Sequence, residues 1–234
     1  MPTWSIERTS LPVQSFPNDS TTIPTEIVVS LYRSMLLAAL VVVGGCASEP
    51  PKPQFVESAN QTLSPPPPDK AQIVFLEPIN SIQGLIPVGI FEIDGDSRTL
   101  LATTGAHSKV AVLFEPGRHF LMANHSGGVA HFLEANVAAG KRYYVLLRFI
   151  YANGFQMRPL RPAGPSDYTV AGKDFPHWIS ETRFVEKTPD SDAFFEKYRD
   201  AVDKSQAKAW ASWQAKTAEE RAELTLNPDD AIEE

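Results

Sequence analysis

The chain has 234 residues, 43% of them hydrophobic and 21% charged, with a formal net charge of −7. An acidic balance of this size favours solubility and argues against a nucleic-acid footprint. The single cysteine leaves no partner for a disulfide, a CxxC redox pair or a thiolate metal site, so stability must come from an apolar core.

In chain order, residues 1–28 hold Pro2, Pro12, Pro17, Pro24, Glu7, Asp19 and Glu26, with no apolar periodicity. This stretch is expected to be disordered and to be a mis-annotated leader, with initiation near Val28 or Val29. Arg33 then precedes the apolar run 35–43, which closes on Val43-Gly-Gly-Cys46. A basic residue, ~7–15 apolar residues and small residues at a cut form a secretory signal. Ending on cysteine, this one resembles the lipobox of bacterial lipoproteins. The resemblance implies a signal peptide at 29–45, cleavage between Gly45 and Cys46, and an S-diacylglyceryl, N-acyl Cys46. The run is far shorter than the ~20 residues of a membrane-spanning helix. Loss of Arg8 and Arg33 with Glu7, Asp19 and Glu26 would leave a mature charge of about −6. Ala47, in place of an aspartate that retains lipoproteins at the inner membrane, points to the periplasmic face of the outer membrane. Prolines at 51, 53 and 65–68 make 46–70 a tether of extended polyproline character.

From 71 to 162 the pattern reads strand after strand. Gln72-Ile-Val-Phe-Leu-Glu77 has the length and composition of a buried strand. Val88-Gly-Ile-Phe-Glu-Ile93 and Thr99-Leu-Leu-Ala-Thr103 flank Asp94-Gly95-Asp96, a tight-turn signal because glycine accepts positive φ. Lys109-Val-Ala-Val-Leu-Phe114 leads through Glu115-Pro-Gly117 into His119-Phe-Leu-Met-Ala123, and residues 129–137 follow the loop Asn124-His-Ser-Gly-Gly128. Residues 141–151 are the longest β-prone run, and Asn153-Gly154 turns them into Phe155-Gln-Met-Arg-Pro-Leu160. Seven or eight short strands with turn chemistry between them predict a mainly β fold, an antiparallel β-sandwich.

Residues 163–188 carry Phe175, Trp178 and Phe184 without a period and are expected to form an irregular segment packed on the sandwich. Thr188-Pro189-Asp190 is a helix start, with a capping hydroxyl and proline in the first turn. Phe194, Phe195, Tyr198, Val202, Ala209, Trp210 and Trp213 recur at three- and four-residue steps, and Thr217-Ala-Glu-Glu220 is a capping-box signature. Residues 189–226 therefore form a C-terminal amphipathic helical extension, with 227–234 as a tail.

The order Ala71-Gln-Ile-Val-Phe-Leu, Asp94-Gly-Asp, Phe114-Glu-Pro-Gly-Arg-His119 and Ala138-Ala-Gly-Lys-Arg-Tyr-Tyr-Val145 resembles the small all-β domain of envelope lipoproteins catalogued as domain of unknown function 2846. The resemblance covers roughly residues 70–162. It implies a lipid-anchored envelope protein and carries over no catalytic residue.

Candidate chemistry is sparse. His119, His125 and His131 are evenly spaced, with Met122 between the first two, a pattern that invites copper or zinc, although the Gly127-Gly128 turn interrupts any common strand face. No G-x-S-x-G elbow, Walker loop or dinucleotide glycine pattern occurs, and the Asp-Gly turn accounts for Asp94 and Asp96. Trp210 and Trp213 share a helix face that either docks on the sandwich or meets a partner. Arg142 and Arg148 share a strand face and read as solvated surface. The expected function is a non-enzymatic, lipid-anchored envelope module for a protein partner, with no cofactor beyond the lipid on Cys46 and no nucleic acid. The alternative is a periplasmic domain for a small ligand or a copper or zinc ion.

Overall fold

Burial on both faces sets the architecture. Every residue of 71–77 is buried, and a strand alternates its side chains between two faces, so this run needs cover above and below. A computed structural model describes residues 52–78 and 86–232, which fall within one compact unit, Pro51–Glu234. The leader 1–28, the signal 29–45, the cleavage pair Gly45 and Cys46, and the first part of the tether lie outside the described residues.

Eleven strands are described: β1 (Phe55–Glu57), β2 (Ala71–Glu77), β3 (Val88–Asp94), β4 (Ser97–Thr104), β5 (Ser108–Phe114), β6 (Gly117–Asn124), β7 (His131–Val137), β8 (Arg142–Ile150), β9 (Gly154–Pro159), β10 (Arg183–Lys187) and β11 (Thr225–Leu226). Four helices accompany them: α1 (Phe175–Glu181), α2 (Pro189–Lys197), α3 (Arg199–Gln214) and α4 (Ala218–Ala222). The strands form two sheets, ordered β1-β10-β5-β2-β8-β9 and β11-β7-β6-β3-β4.

Strand parity distributes the side chains into layers. Ile73, Phe75, Tyr143, Val145 and Leu147 of the first sheet share one core with Ile90, Leu121 and Leu133 of the second. The opposite faces are also covered. Val74, Leu76, Tyr144 and Leu146 lie under Phe175 and Trp178 of α1, while Phe91, Met122 and Phe132 lie under Phe195, Val202 and Trp213 of α2 and α3. The result is a mainly β sandwich with a helix layer on each outer face.

The span 71–162 contains eight strands, β2 to β9. Their pairing is mixed rather than purely antiparallel: β2–β8, β5–β10 and β7–β11 run parallel. Parallel neighbours need a crossover. Between β2 and β8 the chain builds β3 and β4, returns to the first sheet for β5, and crosses again for β6 and β7.

Several expected boundaries move. The later part of the 46–70 tether is structure: β1 adds to β10 as an edge strand. The Gln61 side chain continues that pairing, donating to Phe184 O (3.0 Å) and accepting from Phe184 N–H (2.9 Å). The segment 163–188 is not irregular throughout, since it supplies α1 and then β10, inserted between β1 and β5. The helical extension breaks at Tyr198, whose φ of −102° and ψ of 14° end α2 before α3 begins, and it finishes in β11. Thr188 does not cap α2; its hydroxyl donates to Pro53 O (2.6 Å), fastening the N-terminal segment instead. The 227–234 tail is bound as well. Pro228–Asp230 is a 3-10 helix, Ile232 N–H donates to Arg142 O (2.8 Å), and Arg161 holds Thr225 O, Ala222 O and the Asp230 carboxylate.

Candidate functional site

The three histidines do not converge. β6 and β7 form a hairpin in which His131 stands opposite Ala123, so His119, four residues before Ala123, is about 13 Å along the strand. His119 is committed to other partners: its Nδ1 lies 2.6 Å from Glu92 Oε1 and its Nε2 2.8 Å from Glu115 O. His125 packs edge-on against Phe155 (5.6 Å between centroids), and His131 Nε2 binds Asn153 O. Burial lowers the pKa of His125 and His131, keeping both neutral at pH 7. Among the described residues no group of three His, Cys, Asp or Glu side chains could hold a metal. Glu92, the real partner of His119, lies 27 residues away on β3, and only the β3–β6 pairing brings it close.

The buried polar groups are likewise structural. Glu77 is fully buried and accepts from Thr104 Oγ1 (2.7 Å), while its second oxygen has no hydrogen-bond partner among the described residues. Arg142, expected on a solvated surface, is 2% exposed; its guanidinium donates to Gln72 Oε1 (2.8 Å) and Ser64 O (2.6 Å). Arg148 lies half-buried against the Tyr168 ring (5.1 Å).

The open features flank α3. This helix crosses the outer face of the second sheet, with Val202, Ala209 and Trp213 pressed into the Phe120/Phe132 surface. Its two tryptophans part company. Trp213 is 4% exposed, whereas Trp210, one turn back, is 45% exposed. Trp210 still makes edge contacts with Phe120 (5.5 Å) and Phe132 (5.9 Å), so it stands as the rim of a cleft rather than in free solvent.

That cleft, of about 1080 Å³, runs between the β3–β4 hairpin and the helices, over Phe91, Phe120, Phe132 and Phe195. Its rim carries Asp96, Asp192, Glu196 and Asp203 against Arg98 and Arg199. Both cations are already engaged: Arg98 with Asp203 (2.6 Å) and Gln206 (2.7 Å), Arg199 with Glu196 (2.6 Å). An aromatic floor inside an acidic rim suits an apolar group carried on a cationic neighbour.

The other flank of α3 is basic. A second cleft, of about 700 Å³, lies between the helix and the loop 124–128, and its lining includes Lys204, Lys208 and Lys216 but no Asp or Glu. The loop wall is braced on the helix. Asn124 Nδ2 donates to Gly128 O and Ser205 Oγ (both 2.9 Å), and Gly127 N–H donates to Asn124 Oδ1 (2.9 Å). Gly127 has φ +91°, and a Cβ there would fall 2.4 Å from Ala201 Cβ, so only glycine lets loop and helix meet this closely.

No helix among the described residues is long and apolar enough to cross a membrane. No protein-family model matches the chain, and no curated protein matches it.

Proposed function

We propose that this chain is a lipid-anchored protein of the bacterial envelope, without catalytic activity, whose aromatic cleft receives an apolar side-chain anchor of a protein partner. The half-exposed Trp210 above Phe120 and Phe132 carries this reading. Aromatic anchors over a desolvated floor dominate interface energetics, and a large ring held at a cleft rim is the kind of exposed apolar group that marks a contact site. The acidic rim favours a partner with lysine or arginine beside its anchor. The address rests on Val43-Gly-Gly-Cys46 and the apolar run before it, and the all-β resemblance of residues 70–162 agrees with it. Ala47, where an aspartate would retain a lipoprotein at the inner membrane, favours the periplasmic face of the outer membrane.

Two arms test this reading. Cys46→Ser should move the protein from the membrane fraction to the soluble fraction, and unchanged partition would remove the anchor. A photo-crosslinking residue at Trp210 should give a discrete protein adduct in intact cells. The same residue at Leu113, exposed on the first sheet, should give none. Equal labelling at both positions would remove the cleft from the reading.

A further inference from the structure

We propose that the basic cleft on the far flank of α3 binds a monomeric anionic amphiphile, its acidic head held by Lys204, Lys208 and Lys216 and its tail laid on Val129, Phe132 and Leu224. This site does not depend on the aromatic cleft being a partner site.

Charge makes the first argument. The chain is acidic overall, and its exposed cations are commonly paired, as Lys187 is with Asp192 (2.9 Å) and Arg158 with Glu223 (3.0 Å). Lys204, Lys208 and Lys216, like Arg118, Lys173, Lys197 and Arg221, make no ion pair with a described residue, but these three line one cleft. Positions 204, 208 and 212 follow the four-residue step of a helix, so Ser212 carries the row on toward Lys216 just beyond the end of α3. Lys216 is close enough to His131, which also lines the cleft, to oppose its protonation. Unpaired cations over a low-dielectric wall concentrate an anion in a way that dispersed surface lysines do not.

The floor argues for a tail as well as a head. Among the described residues Val129 is one of few large apolar side chains left exposed, and it lines the cleft with Ala130, Phe132 and Leu224. A simple anion would have no use for that surface, and a nucleic acid would meet a net charge of −7. The volume, about 700 Å³, lies in the range of small-molecule sites. Bracing of the 124–128 loop on Ser205 and Ala201 keeps the wall in place before anything binds, which lowers the ordering cost of binding.

Calorimetric titration of the purified full-length chain with decanoate below its micellar concentration tests the assignment. Decanoate should bind with one-to-one stoichiometry, and acetate (head without tail) and decanol (tail without head) should each bind at least tenfold more weakly. The variant Lys204→Gln/Lys208→Gln/Lys216→Gln should lose tenfold or more in decanoate affinity. A charge-matched control, Lys52→Gln/Lys173→Gln/Lys197→Gln, should keep it. Because all six side chains sit at the surface or cleft edge, both variants should retain the far-ultraviolet circular dichroism of the parent. Equal loss in the two triple variants would reduce the effect to net charge, and equal affinity for decanol or acetate would remove head or tail from the assignment. Binding to phosphatidylglycerol vesicles with none to monomeric decanoate would replace the cleft by a membrane-facing surface and overturn the proposal.

Discussion

Burial pushes the Glu77 carboxyl up to about 8 from an ordinary value of 4.5, and the Thr104 hydroxyl only partly offsets that rise. The folded protein therefore holds a proton at neutral pH that the unfolded chain has released. Between pH 4.5 and about 8 stability falls as pH rises, by about 1.4 kcal/mol per unit, and the loss is complete above the folded value. Glu77→Gln keeps a side chain that can accept the Thr104 bond and removes the proton. The variant should match the parent near pH 4.5 and exceed it by about 4 kcal/mol at pH 8. Thermal or denaturant unfolding across that range checks this, and parallel stability curves for the two proteins would mean that Glu77 is ionised in the fold. The histidines act with the opposite sign. His125 and His131 are lowered by burial, so their effect is a loss of stability as pH falls below about 6.5. The two trends together place the optimum on the mildly acidic side of neutrality.

Elements at the edges of the sandwich depend on single side chains reaching across long sequence distances. Arg142 ties Gln72 to Ser64, and through Ser64 it holds the segment that leads from β1 to β2. Arg142→Leu should release that segment more than the core. Hydrogen exchange should quicken at Ser58 N–H, which donates to Phe184 O, and along Phe55–Glu57, while the β2 amides stay protected. Global destabilisation of about 1–3 kcal/mol is expected from the acceptors abandoned on Gln72 and Ser64; equal acceleration in β1 and β2 would show that the segment is not a separate unit. This dependence also explains what could be read from the chain alone. The hairpins at Gly95 and Gly154 were legible because positive φ at those positions (56° and 78°) demands residues that announce themselves. Strand β2 was legible from its unbroken apolar run. Strands β1 and β10 were not: each is short and half-exposed, with charged residues, and what makes them strands is a partner over a hundred residues distant. Parallel pairing escaped for the same reason, since nothing local distinguishes the side of β2 that meets β8. At the candidate site, the helical period placed Trp210 and Trp213 on α3. It could not say that a shift of three residues would bury one and leave the other at a cleft rim, nor that Lys204 and Lys208 would face a loop from another strand pair.

At the scale of the whole molecule, the residues that look like accessories are the cover of the second sheet. Phe91, Met122 and Phe132 point away from the sandwich core and are buried only because α2 and α3 lie on them. Strand β11 closes the β7 edge, and the final residues bond back to Arg142 and Arg161. The β domain expected at 71–162 is therefore not self-sufficient. Cut at 162, it would expose three large apolar side chains on one outer face and Val74, Leu76 and Leu146 on the other, along with an open edge at β5 where β10 had paired. Each uncovered side chain forfeits about 1.5–3 kcal/mol of burial, so the six together exceed the stability typical of a domain this size. A fragment of residues 71–162 should be insoluble or should bind a hydrophobic dye in a partly folded state, whereas residues 52–232 should unfold in one cooperative transition. A soluble, cooperatively folding 71–162 fragment would mean that the helices are appended to a finished sandwich. The clefts flanking α3 make the distinction matter for function. If the helix layer is part of the fold, its two charged flanks are fixed features of the surface, and a ligand or partner meets them already formed.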